Sequence, residues 1–316
     1  MDKKNLVINL KDRLQKEGVD VKPTEYNGKE SQWSYEIVVK GSKDEILYDI
    51  FKPEITIEDW KKKFIMAISG DGREQRRITT LHSSSLLALL FFSGINKQNP
   101  VRIDDNLFDE VYFEVKNKVF KNSAVQDKPS NIDIMLVSLD KKTLLFLESK
   151  FTEYKHNGKV KVSQKYHNFY SQLIDFIPNL KFCNGVLELG EGRNSQYLYG
   201  IKQMFSHLIG LLTEPLSTNS SEIKEFIQNA EKVELGSIVF NWDQTLFEKY
   251  KKFFNTIFQN FENPSNILKE CLDNDEIYKE KMDKLSILPS LLSYQDIIVK
   301  NPSYKISTEI KKFYNL

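Results

Sequence analysis

The chain has 316 residues, with 45 Lys and Arg against 44 Asp and Glu and a formal net charge of +1. That length can bury a sizeable core and hold one large domain or two small ones, and 12% aromatic with 28% charged residues excludes a disordered chain. Near-neutral charge excludes a nucleic-acid binder that works by bulk electrostatics alone, the longest apolar stretch, Leu86–Phe92, is too short to span a bilayer, and Cys183, Cys271 and four dispersed histidines give no zinc spacing.

In chain order, residues 1–20 read as an amphipathic helix with Leu6, Ile8, Leu10 and Leu14 on its apolar side. No signal-peptide core is expected there, which makes a reducing cytoplasm the expected compartment. Trp33–Val39 and Ile46–Phe51 read as a strand pair around the turn Gly41–Asp44. Ile57–Ile68 opens as a helix with Thr56 as N-cap, and Gly70–Gly72 is a loop. His82–Ser85 supplies caps for an apolar helix running to Phe92, which Gly94 ends. Val111–Phe120 alternates Val111, Phe113 and Val115 against Tyr112, Glu114 and Lys116, so Glu114 is expected on a solvated face. Residues 162–176 and 195–212 keep helical spacing, Glu214–Ser221 is a polar linker, and Val233–Trp242 is a strand. Helices follow around Gln244–Phe261 and Asn266–Lys281, and the tail after Pro289 carries no pattern.

Two segments stand apart. Asn131–Ser138 and Leu144–Lys150 are apolar, strand-like runs that carry Asp133, Glu148 and Lys150 where a buried strand should have no charge. Buried charges are costly without partners. The link Leu139–Lys142 reads as a hairpin turn. A loop made of Asp140 and Lys141 sets Asp133 opposite Glu148; one spanning Asp140–Thr143 sets it opposite Lys150; a loop of intermediate length sends Asp133 to the other face. The first two bring all three charges onto one face, with opposed Cβ atoms roughly 4.5–5.5 Å apart. Two carboxylates that close repel unless a cation or proton lies between them, and a hard cation such as Mg²⁺ suits oxygen ligands. The plainer alternative is a cross-strand ion pair between Asp133 and Lys150.

Asp, a hairpin and then Glu-x-Lys resembles the motif of the PD-(D/E)xK nuclease superfamily, which includes many restriction endonucleases and repair nucleases. The matching positions are Asp133, Glu148 and Lys150, with the proline that often precedes the Asp displaced to Pro129. Gly70–Glu74, His82–Phe92, Glu148–Glu153 and Tyr199–His207 are similar to a bacterial subfamily of uncharacterised restriction-endonuclease-like proteins, and the resemblance covers residues 66 to 213. It implies an α/β fold with a restriction-endonuclease-like core, a mixed β-sheet flanked by helices. The core would occupy 66–245, between an N-terminal α+β elaboration over 1–65 and a C-terminal helical extension over 246–316.

The resemblance also implies Mg²⁺-dependent hydrolysis of nucleic-acid phosphodiesters, with Mn²⁺ able to substitute. Asp133, Glu148 and the backbone of Ser149 would hold the metal, and Glu74 is the first choice for an extra upstream acid. Lys150 would orient or deprotonate the attacking water, or stabilise the developing charge. Arg73, Arg76 and Arg77, then Lys155, Lys159, Lys161 and Lys165, are cation clusters suited to tracking phosphates or to a solvated face. Gln203 and His207 lie one helical turn apart; some superfamily members place a glutamine from such a helix near the site, although a core or interface pair is the plainer expectation.

The expectation is a restriction-type DNA endonuclease in host defence, acting on double-stranded DNA alone or as a homodimer, since no nucleotide-binding Gly-Lys-Ser/Thr loop is present. The alternatives are a catalytically inactive nucleic-acid-binding or regulatory protein on a nuclease-like scaffold, and a structural protein with an ion-paired strand end.

Overall fold

A strand whose two faces are both covered organises the molecule. The computed structural model describes residues 2–70, 72, 74–117, 129–152, 160–164, 167, 170, 171, 174, 180–189, 198–212, 218–258, 280, 281, 283–288 and 290–316. The N-terminal part carries helix α1 (Lys3–Lys16), a hairpin of β1 (Val21–Tyr26) and β2 (Lys29–Ile37), then α2 (Lys43–Phe51) and α3 (Ile57–Ala67). The short α4 (Glu74–Arg77) and the apolar α5 (Ser84–Phe92) lead into β3 (Val101–Ile103), β4 (Asn106–Asn117), β5 (Ser130–Ser138) and β6 (Thr143–Lys150). A separate three-stranded sheet holds β7 (Val160–Lys161), β8 (Leu180–Cys183) and β9 (Val186–Leu189). The chain continues through α6 (Leu198–Leu212), α7 (Ser221–Asn229), β10 (Lys232–Val239), α8 (Gln244–Phe258), β11 (Leu285–Ile287), β12 (Leu292–Ser293), α9 (Tyr294–Lys300) and α10 (Thr308–Tyr314).

The main sheet has the order β11-β10-β6-β5-β4-β3, with β12 also paired to β10. Neighbours from β3 to β6 are antiparallel; β10 runs parallel to β6, and β11 and β12 run parallel to β10. The fold is therefore α/β with a mixed sheet flanked by helices. A parallel neighbour requires a crossover, and α6 and α7 lie within the connection that returns the chain from β6 to β10. Every residue of β6 is buried, the mark of a strand covered on both sides. Ser149 faces α5, where its hydroxyl donates to the Ser84 carbonyl, while Glu148 faces α6 through His207. Because α5 is apolar all round, it too is buried from Leu86 to Phe92.

Several elements follow the sequence reading. Thr56 caps α3 by accepting from the Asp59 N–H, and Ser83 caps α5 by accepting from Leu86. Others differ. Ile46–Phe51, expected as a strand, is the helix α2, with Asp44 and Glu45 in its first turn and Leu47 and Phe51 on its buried face. Strand β2 pairs instead with Val21–Tyr26, through Asn27 and Gly28 at φ 51 and 72, the Asn-Gly turn whose left-handed residues match the twist of a hairpin. In α1 it is Val7, not Ile8, that is buried with Leu6, Leu10 and Leu14. The C-terminal part is not purely helical, since β11 and β12 join the main sheet. The expected helices over 162–176 and 266–281 fall largely outside the described residues. Among the described residues no helix is long and apolar enough to cross a membrane.

Lys63 of α3 donates to the carbonyls of Ser93 and Ile95, at 2.7 and 3.1 Å, just past the end of α5. Burial lowers its pKa from 10.5 to about 8, against the pull of Asp59 and Glu110. The unfolded chain then binds this proton more tightly than the folded one, so the contribution of Lys63 to stability rises as pH climbs from about 8 towards the unfolded value. Urea denaturation of the wild type and Lys63→Met across that window should show the difference moving in favour of the wild type with rising pH. A difference flat in pH would refute the assignment.

Candidate functional site

The register of three strands aligns three carboxylates. Phe113 pairs with Ile134 and Val115 with Ile132, which sets Glu114 level with Asp133. Ile134 pairs with Leu147, and the same register continued one step sets Asp133 level with Glu148. The hairpin has taken the register expected of the tighter turn: Lys141, at φ 64, donates its N–H to the Ser138 carbonyl at 2.9 Å. Asp140 accepts from the Lys142 N–H and the Ser138 hydroxyl. Asp133, Glu148 and Lys150 thus come together.

Each charge is held by named partners. The Lys150 ammonium donates to Glu148 Oε1 at 2.6 Å and to Gln203 Oε1 at 2.5 Å. Glu148 Oε2 lies 2.7 Å from His207 Nε2, and His207 Nδ1 lies 2.7 Å from the Ser130 hydroxyl. An ionised carboxylate only accepts, so Nε2 carries the proton in that contact. Burial alone would raise the Glu148 pKa, but Lys150 and His207 outweigh it and hold the carboxyl at about 2. Asp133 Oδ2 accepts from the backbone N–H of Ser149 at 2.8 Å. The Ser149 side chain lies on the opposite face, its hydroxyl 2.7 Å from that of Tyr294.

Glu114 corrects an expectation. It is buried, not solvated, and adopts φ 53 within its strand, an uncommon conformation for a non-glycine residue. Burial raises its pKa well above the usual carboxylate value, and Asp133, Glu74 and Glu148 raise it further, against Lys116. Glu74, the first residue of α4, reaches the row beside Gly70. A Cβ placed on Gly70 would stand 2.6 Å from an oxygen of Glu114 and 2.6 Å from one of Glu74, so glycine lets both acids close over the backbone. Alternation along one strand could not reveal Glu114; the signal lay in the register of three. Gln203 and His207, for which a core or interface pair was the plainer expectation, contact the two central charges directly.

The cation clusters are only partly accounted for. Arg76 and Arg77 are exposed on α4 beside Glu74, and Lys161 is exposed on β7, where its carbonyl accepts from Lys202 at 2.8 Å. Arg73, Lys155, Lys159 and Lys165 lie outside the described residues.

Four carboxylates lie in one row, Glu114 and Glu148 buried and Asp133 and Glu74 half-buried. Burial first, and then its acidic neighbours, drive Glu114 towards its protonated form, and carboxylate oxygens are the donor type that a hard divalent cation takes. Lys150 and His207 set the placement of Glu148, and the Ser149 N–H sets that of Asp133. Among the described residues no three His, Cys, Asp or Glu side chains are arranged to hold a metal ion. No family model matches the chain, and no curated protein or solved structure matches it.

Since the folded state keeps the Glu114 proton at a pH where the unfolded state has lost it, this residue's contribution to stability falls as pH rises through the carboxylate range. Glu114→Gln mimics the protonated form, so its melting temperature should exceed the wild type's at neutral pH and approach it as the pH drops towards about 4. Removing the second partner of Glu148 by His207→Ala should cost roughly 1.5–3 kcal/mol in chemical denaturation. Loss of well under 1 kcal/mol would mean that the contact with Glu148 contributes little.

Proposed function

We propose that the chain is a PD-(D/E)xK-type nuclease that hydrolyses phosphodiester bonds in double-stranded DNA, a restriction-type endonuclease of host defence. One observation carries the reading. Asp133, Glu148 and Lys150, widely separated in kind from the apolar residues around them, come together from two adjacent strands, with Glu114 level on a third. The order of elements adds support: a helix, the antiparallel run β4 to β6, the crossover helix α6, then β10 parallel to β6. That is the arrangement which the resemblance to restriction-endonuclease-like cores implies.

Asp133 and Glu148 would hold Mg²⁺, with Glu114 and Glu74 as the neighbouring oxygen donors. Such an ion supplies charge relief on the phosphoryl oxygens and a lower pKa for bound water. The chain's own residues do the rest. Lys150, its ammonium oriented by Gln203 and Glu148, orients the attacking water or stabilises the developing negative charge. His207, braced by Ser130, fixes the Glu148 carboxylate so that its free rotation does not have to be frozen during the reaction. Arg76, Arg77 and Lys161 offer exposed cations for the phosphate backbone. Cutting both strands of a duplex suits a homodimer.

A second reading rests on a specific observation. Both oxygens of Glu148 are engaged by Lys150 and His207, an arrangement complete without a metal. It favours a nucleic-acid-binding or regulatory protein without turnover on the same scaffold.

The purified full chain should nick or linearise supercoiled plasmid with Mg²⁺ or Mn²⁺ and not with EDTA. Asp133→Ala and Lys150→Ala should each slow the reaction by about 10²-fold or more; cleavage at the wild-type rate in either variant sinks the nuclease assignment. Calorimetric titration with Mn²⁺ separates the two readings. A binding site abolished by Glu148→Ala supports the nuclease, whereas DNA binding with no Mn²⁺ site in the wild type supports the inactive scaffold.

A further inference from the structure

The seam where α1, α2 and α10 meet forms a half-open cavity of about 480 Å³, and none of its lining residues belongs to the carboxylate row. Ligand pockets typically measure about 300–1,000 Å³. Three ties fix the helices around it. Arg13 Nη1 donates to the Phe313 carbonyl at 2.7 Å, Ser307 donates to the Phe51 carbonyl at 2.5 Å, and Lys52 lies 3.3 Å from Glu309. The space is therefore held open by the fold, which reduces the ordering cost of filling it.

Its walls are of two kinds. Leu14, Phe51 and Phe313 are buried apolar residues on the lining, and the two rings lie 5.2 Å apart. Arg13, Lys16 and Lys312 are lining cations; Lys52, the fourth, is engaged by Glu309. Glu17, Asp49 and Glu309 also line the space; the first two are exposed, and the half-buried Glu309 is taken up by Lys52. Arg13 is the distinctive member. It is half-buried, burial depresses its pKa, and no carboxylate among the described residues opposes that effect. Among the described residues, its one side-chain hydrogen bond goes to a backbone carbonyl. A guanidinium carries five N–H donors in a planar fork that matches a carboxylate. Holding one partly desolvated over an apolar floor is costly unless an anion completes it.

We propose that this cavity binds a small organic acid, its apolar body seated on Leu14, Phe51 and Phe313 and its carboxylate on Arg13. This goes beyond the nuclease reading and does not depend on it.

Isothermal titration of the full chain with 2-naphthoate, octanoate, neutral 2-naphthalenemethanol and cationic 2-naphthylmethylamine tests the assignment. At least one acid should bind with one-to-one stoichiometry; a preference for octanoate would identify an acyl chain as the natural body, and a preference for 2-naphthoate a ring. The naphthoate should bind roughly ten-fold or more tighter than the alcohol, the worth of one charge-assisted contact. Arg13→Gln should remove that margin, and Ile50→Trp, at a lining position, should fill the space and weaken binding of every ligand. If Arg13→Gln disturbs folding through its tie to Phe313, the preference for acid over alcohol and the Ile50→Trp result decide. Absence of heat with both acids, equal affinity for the alcohol, tighter binding of the amine, or wild-type affinity in Ile50→Trp would each overturn the proposal.

Discussion

The carboxylate of Glu148 must be satisfied by protein groups at a position almost shut off from bulk solvent, and much of the fold answers that requirement. It sits in a strand buried along its whole length, so an unpaired charge there would cost several kcal/mol. Two partners meet the need. Lys150 comes from the same strand, two residues on, and His207 comes from α6 on the sheet's covering face. His207 reaches that position only because the crossover from β6 to β10 lays α6 across the sheet, and Ser130 on β5 then sets the ring. One buried charge thus ties two neighbouring strands and a helix into a single polar network inside an apolar layer.

The alternation of β6 separates two tasks on one strand. On one side, Glu148 and Lys150 join the polar network. On the other, Ser149 closes against Ser84 of α5 and Tyr294 of α9, where Tyr294 packs edge-on against Phe91 at 4.8 Å. The chemically interesting residues are therefore anchored from behind by apolar packing, the usual condition for holding a polar constellation in fixed geometry. Beyond the strand end the support continues: Phe151 meets Phe240 and Tyr314 with ring centres 4.9 and 5.7 Å apart.

Much of this was legible in the residues. The hairpin of β5 and β6 could be read because its polar turn is short, and the side-chain period of two converts turn length into facing. Capped helices such as α3 and α5 announced themselves by Thr56 and Ser83. Failures came where local pattern and tertiary context disagree. Ile46–Phe51 looks extended by its β-branched and aromatic content, yet Leu47 and Phe51 keep a helical interval and Ser42, Asp44 and Glu45 favour a helix start. The Asn27-Gly28 turn was the stronger hairpin signal and sat one element earlier. Glu114 was illegible from its own strand, because what buries it comes from elsewhere: Asp133 beside it, and the Gly70 turn that brings Glu74 over it. Gln203 and His207 showed their spacing but not which charges they would meet.

Gly70 also limits how this protein can drift. Any side chain there would collide with two acids at once, at 2.6 Å from each. A descendant or relative that has gained one must have swung the ends of both acids aside, shifted the turn, or surrendered Glu74 or Glu114. The fate of a single small residue outside every strand of the main sheet is therefore a readable marker, in sequence comparison, of whether Glu74 and Glu114 keep this close placement.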